Sequence, residues 1–437
     1  MDWGVPAAAC SRPRTMARRA SSTLKALPAC SRLRLPESNL LRYMERSAGR
    51  IVYAGLDGNI YTMNQTGEDV RALTTDAGDS AAYYYPAWSP DAKRVAFVGY
   101  SKTDGEPPVA VFVANSDGSG LNRIFSNPDL RPFYLYWLPD STRVSMLSGS
   151  ASDNNYTLNV VDADGGASVS IGRGRPYYWA WAPDSSALVS NTGSRMQQPA
   201  DGKLAVSTLA TGVDAREVGA APGYFRAPAY SPDGKFVVLA IDDEGTDTLV
   251  LRDNESGKRQ VLARTAGGVA AFEWSADGEH LAFLDGGPAE AGPLGALNIF
   301  DLSDPAAPVL AKAIVDKVLA FYWDPAGERI AYLSPRIVPA AAGEDGQRLL
   351  LSLSIMTAET QAVVEIANFE PAPAFMSQIL PHFDQYQRSG SMWSPNSRFL
   401  VINAMHDGKP AIYAVDTTGT REPDFLVDGQ FAFWSGW

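Results

Sequence analysis

The chain has 437 residues, 45% of them apolar, 20% charged and 10% aromatic, with 38 Gly and 30 Pro, a globular composition that favours strands and turns. Its net charge of −12 divides unevenly, +7 over residues 1–50 (ten Lys/Arg, three Asp/Glu) and −19 beyond (27 against 46), so bulk attraction of the body to nucleic acid is excluded. Cys10 and Cys30 both precede residue 50, which removes thiolate catalysis and thiolate metal sites from the remainder, and no stretch approaches the roughly 18 apolar residues of a membrane span.

Residues 1–48 are rich in Arg, Ser and Ala. "MARRASSTLKALPAC", from Met16, has the basic start and the cleavage box ending at Cys30 of an export leader. Such a leader needs about 7–15 consecutive apolar residues, and "ASSTLKAL" does not supply them. The segment is therefore expected to be a disordered basic leader or a start placed too far upstream, Met44 being a candidate true start. The expected compartment is cytoplasmic, or extracytoplasmic if the leader acts as a weak export signal.

"GRIVYAG", "NIYTMN" and "VRALT", within residues 49–74, read as three strands that lack an inner partner. From Pro86 a hairpin phrase, "PAWSPDAKRVAFVGY", then recurs down the chain. Its aromatics are Trp88, Trp137, Trp181, Tyr230, Trp274, Trp323 and Trp393, spaced 49, 44, 49, 44, 49 and 70 residues apart, and a period of about 40–50 residues signals a repeat architecture. In each copy a short apolar strand ends in the aromatic, and Ser-Pro-Asp-Gly or a variant makes the turn. Proline presets φ, Asp bonds nearby N–H groups, and Gly accepts φ > 0. A second hairpin follows, as in "VAVFVANSDGSGLNRIF". The unit is thus four antiparallel strands.

One such sheet cannot cover both its faces, but sheets packed radially can, in a β-propeller. The repeated aromatics are expected to fill the spaces between blades. The last strand, "FAFWS", places Trp434 in the motif position and has no successor, so it is expected to pair with the strand near Ile51 and close the ring in a composite blade. The expected fold is an all-β, eight-bladed propeller over residues 49–437. Seven blades is the alternative, if the Trp137 or Trp181 unit fails to form one.

The loops leading into the inner strands carry arginines among aromatics: Arg131, Arg173, Arg175, Arg226 and Arg388, with Tyr83, Tyr84, Tyr85, Phe133, Tyr134, Tyr177, Tyr178, Tyr224 and Phe225. Arginines meeting at one mouth would form a positive, aromatic-lined site for a carboxylate or phosphate. The long unit before Trp393 holds an insert at about 369–390, "FEPAPAFMSQILPHFDQYQRSGSMW". A helical turn is expected at 374–380, ending before Pro381, with Phe375, Phe383 and Tyr386 capping the channel and Asp384 and Gln385 pointing into it. The insert is either a structural plug or a ligand-binding lid.

The Trp-Ser-Pro-Asp-Gly hairpin repeat resembles the WD-like repeat of TolB-type proteins and of the propeller domains of the prolyl oligopeptidase family. The resemblance covers about residues 49–437 and implies the fold rather than a function. A hydrolase of that family would carry a Gly-x-Ser-x-Gly elbow, which the chain lacks. His280, His382 and His406 lie in different units with no paired spacing, so no histidine metal site is expected. The acidic turn with Asp242, Asp243, Glu244 and Asp247 does not match an EF-hand loop. "GRGRP" lacks the Gly-Lys-Ser/Thr of a phosphate-binding loop. The expected function is a non-enzymatic binding or scaffold module, a monomer with no cofactor, that takes a protein partner or a small anionic ligand at the channel mouth. The alternative is a propeller lyase or hydrolase using Asp384 with an arginine or tyrosine there.

Overall fold

A computed structural model describes residues 49–436 apart from 104–106, 194–201, 210–213, 224–225, 266–267, 287, 290–291 and 340–345. The expected leader, Tyr224 and Phe225 lie outside the described residues. Apart from a two-residue ribbon, the strands form six four-stranded antiparallel sheets and one six-stranded sheet, arranged as a propeller ring.

The sheets therefore number seven, which is the alternative count, and not eight. The cause differs from the one expected, because the Trp137 and Trp181 units both form complete four-stranded sheets. The merger lies where the ring closes. Strand Asp424–Trp434 pairs through residues 424–428 with Lys409–Asp416 and through residues 429–434 with Ile51–Gly55. One strand is thus the outer strand of the Trp393 unit and the inner strand of the composite. Eight sequence repeats occupy seven sheets. The closure is as expected, with Ile51 opposite Trp434 and Val52 opposite Phe433.

The motif turn explains its own sequence. Ser89 Oγ donates to Asp91 Oδ1 at 2.7 Å and accepts the Arg94 N–H at 2.9 Å, and Ser231, Ser275 and Ser394 repeat the arrangement. The fourth residue after each aromatic has left-handed φ. It is Gly234, Gly278 and Gly327 in three units, but Ala92, Ser141, Ser185 and Ser397 in the others. Two of the serines lace neighbouring turns: Ser141 Oγ accepts the Asp91 N–H at 3.0 Å, and Ser185 Oγ accepts that of Asp140 at 2.9 Å.

Five of the motif indoles join their unit to the one before it. Nε1 of Trp88, Trp137, Trp323 and Trp393 donates to the carbonyl of the residue preceding the previous motif aromatic: Phe433, Ala87, Glu273 and Tyr322, at 2.9–3.3 Å. Trp181 reaches Tyr136 O through Ser145 Oγ. Trp434 is as buried as Trp393, both at 1% exposure, but its indole N–H has no acceptor. Trp393→Phe should therefore cost about 1 kcal/mol more than Trp434→Phe, the net worth of one buried hydrogen bond. Denaturant unfolding of the two variants checks this; equal losses would contradict the stitching role of the indole N–H.

Candidate functional site

The upper mouth is the end where the chain runs into the inner strands, and here the insert descends into the channel. It folds as a π-helical turn Phe375–Ile379, a 3-10 turn Leu380–His382 and a short helix Phe383–Tyr386. Helical structure thus continues through Pro381 instead of stopping before it. The proline sits in the first turn of the 3-10 segment, where its missing N–H has no intrahelical partner to lose.

The insert bonds to or packs on six consecutive units. Tyr85 Oη donates to Gln378 Oε1 at 2.5 Å. Tyr134 Oη donates to Gln385 O at 2.8 Å, and its ring meets Tyr386 edge-on at 4.9 Å. The Gln385 side-chain amide acts as an extra strand against Trp179, its Oε1 accepting the Trp179 N–H and its Nε2 donating to Trp179 O, both at 3.1 Å. Asp384 Oδ2 accepts the Ala227 N–H at 3.0 Å. Arg388 contacts the Glu273 carboxylate at 2.8 Å. The Phe383 ring packs edge-on against Phe321 and Tyr322. Gly390 ends the insert beside Phe433, whose ring would lie 2.5 Å from any Cβ there.

These contacts bring together Tyr134, Tyr178, Asp384, Gln385, Tyr386 and Arg388 of the expected site. Tyr178 Oη lies 2.9 Å from His382 Nδ1, and burial raises its hydroxyl pKa well above the usual range. Arg226 stands close by, its Nε donating to Val269 O at 2.7 Å. The other arginines do not join them. Arg131 is exposed on strand Leu130–Trp137. Arg173 belongs to the outer strand Val169–Gly174 and pairs with Asp153. Arg175 donates to Asn154 Oδ1 at 2.7 Å and covers the Tyr156 ring.

Sequence reasoning missed Glu273. It is the residue before the motif aromatic, where the other copies carry Ala87, Tyr136, Ala180, Ala229, Tyr322, Met392 and Phe433. A single charge in that row was the available signal. Burial raises the pKa of its carboxyl, Arg388 opposing the shift. The two groups touch in charge contact without hydrogen-bond alignment.

Two of the hollows beside the plug exceed 400 Å³. At the upper mouth a cleft of ≈ 560 Å³ is lined by Tyr84, Tyr85, Tyr100, Lys102, Gln378 and Phe431, among others. Tyr85 and Phe431 both have left-handed φ, 56° and 54°, at bulges in their strands. Such strain costs on the order of 1–3 kcal/mol per residue, and here the two rings meet at 5.1 Å. On the lower face, among the motif turns, a cavity of ≈ 420 Å³ runs from the Glu273–Arg388 pair to the motif aromatics. Among the described residues no group of three His, Cys, Asp or Glu could hold a metal ion, and no helix is long and apolar enough to cross a membrane.

No family model matches the chain, and no curated protein matches it. Solved structures do resemble it. An oligogalacturonate lyase in complex with manganese is 14% identical, with 85% of this chain and 98% of that chain covered and a TM-score of 0.51. A prolyl endopeptidase is 12% identical at a TM-score of 0.51, with 81% of this chain covered and only 50% of that chain. TolB from Acinetobacter baumannii is 16% identical, with 71% and 77% covered and a TM-score of 0.39. The TolB-type and prolyl-endopeptidase propellers expected from the repeat are thus both among the similar structures. The chain is a β-propeller. Identities this low bear on the fold alone.

Proposed function

We propose that this propeller is a non-enzymatic binding or scaffold module that receives a protein partner at its upper mouth. One observation carries the reading: the insert fills the channel and commits its polar groups to the inner strands. Asp384, the carboxylate an enzyme would need, is buried and holds a backbone N–H. Gln385 is occupied by Trp179 and Arg388 by Glu273. Arg131, Arg173 and Arg175 stand apart from Arg226 and Arg388, which favours a protein over a small anionic ligand.

The open surface of that mouth is the tyrosine-lined cleft. Tyrosines offer large, amphipathic contact area at low entropic cost, as in antibody paratopes, and rigid sheets presenting loops suit recognition. Tyr84 and Tyr100 meet edge-on at 5.6 Å, with Tyr100 37% exposed.

Photo-crosslinking tests this. Benzoylphenylalanine at position 100 should yield one discrete protein adduct in cells, abolished by Tyr84→Ala. The same group at position 425, on an exposed outer strand, should yield none of that adduct. Indistinguishable adducts from the two positions would refute a partner site at the mouth.

A further inference from the structure

We propose that the lower-face cavity is a second binding site, independent of the upper mouth, and that it takes a short proline-rich segment of another chain in polyproline II conformation. Its walls are motif residues used twice. The indoles of Trp181, Trp323 and Trp393, which bond toward the preceding blade, line the hollow together with Trp274 and the rings of Pro139, Pro183 and Pro232. At ≈ 420 Å³ it falls within the size range of ligand pockets. Flat aromatic walls suit a stiff, preformed polyproline II chain, which loses little entropy on docking.

The polar groups narrow the occupant further. Among the lining residues, Tyr230 Oη, Tyr322 Oη, Trp274 Nε1 and Gln387 Nε2 are buried with no hydrogen-bond partner. The indole and amide nitrogens can only donate, and the buried hydroxyls donate readily. An orphaned buried donor is costly, and an occupant rich in acceptors relieves it.

An anion would supply acceptors, but the wall carries two carboxylates, Glu273 and Asp324, against one guanidinium, Arg388. A sugar would bring as many donors as acceptors, whereas the unpartnered lining atoms include one carboxylate oxygen, Glu273 Oε2, against the donors named above. The tertiary amides of consecutive prolines present carbonyl acceptors with no N–H to strand, while their rings pack on indole. The ligand class is therefore neutral, acceptor-rich and apolar-sided.

The test is a tryptophan-fluorescence titration of the full chain with acetyl-hexaproline-amide, against a glycine-serine hexamer, a neutral oligosaccharide and inorganic phosphate. Saturable binding of hexaproline alone is expected. Tyr322→Phe and Trp274→Phe each delete a donor while keeping a ring, and each should weaken binding about five-fold with the thermal midpoint within a few degrees of wild type. Tyr100→Ala, on the upper face, should leave hexaproline affinity unchanged and so separates this site from the mouth. The proposal is overturned if hexaproline does not saturate, if phosphate or the sugar binds in its place, or if both donor deletions leave its affinity intact.

Discussion

Ending the chain after Thr420, which removes strand Asp424–Trp434, should abolish cooperative thermal unfolding. That strand is the seam between two units, and its loss strips a neighbour from both Lys409–Asp416 and Ile51–Gly55. It also removes Phe431, Phe433 and Trp434, all buried, worth roughly 1.5–3 kcal/mol each in burial alone. The Trp88 indole loses its Phe433 acceptor and the Arg50 N–H loses Ser435 Oγ. Against a typical stability of about 5–15 kcal/mol, that leaves no folded ring. Calorimetry of the truncated chain should show no sharp transition, and adding the missing segment as a peptide should restore one. A truncated protein that melts sharply within a few degrees of the full chain would mean that the ring does not depend on this closure.

The second large effect is at Arg388. Arg388→Ala leaves the Glu273 carboxylate, with its Oε2 buried, without its counter-charge, and breaking such a pair costs about 3–5 kcal/mol. The loss depends on pH. Burial already holds the folded-state pKa of Glu273 above its ordinary value of 4.5, with Arg388 opposing the shift, so removing Arg388 raises it further. The native state then binds this proton more tightly than the unfolded chain. Stability from the group is retained at low pH and falls as the pH rises from the ordinary glutamate value through the raised one. Urea unfolding of Arg388→Ala should therefore show a penalty that grows from pH 5 to pH 8. The double variant Glu273→Gln/Arg388→Ala should lose that pH dependence. A penalty that stays constant between those pH values would mean Glu273 is not the group left uncompensated.

Much of this architecture was legible because the repeat is local chemistry copied in register. Ser-Pro-Asp at Ser231, Pro232 and Asp233 dictates a turn wherever it occurs, and the aromatic before it needs a dry space that only a neighbouring sheet supplies. The closure was legible because "FAFWS" is an inner strand with no hairpin behind it. The merging of two units into one sheet was not, since it depends on an 11-residue strand running unbroken past a boundary that spacing alone would draw.

The insert's place at the mouth followed from its position before an inner strand, and its aromatics were recognisable as channel-filling. The partners of Asp384 and Gln385 were not recognisable, because both bind backbone groups of Ala227 and Trp179, and any residue presents a backbone. The arginines illustrate the opposite limit. Arg173, Arg175 and Arg388 look alike in sequence, yet one sits on an outer strand, one on a neighbouring tyrosine and one in the channel. Which way a loop residue faces depends on the strand register beneath it, and a shift of one residue reverses it.

The most direct measurement is hydrogen–deuterium exchange across residues 376–390 of the full chain. If the insert is the ring's axle, its amides should exchange as slowly as those of the inner strands Tyr177–Trp181 and Ala320–Trp323, and Phe383→Ala should speed exchange in all three segments together. Fast, loop-like exchange of residues 376–390 beside a protected ring would contradict a plugged channel, and with it the reading of this mouth as a surface for recognition and not for catalysis.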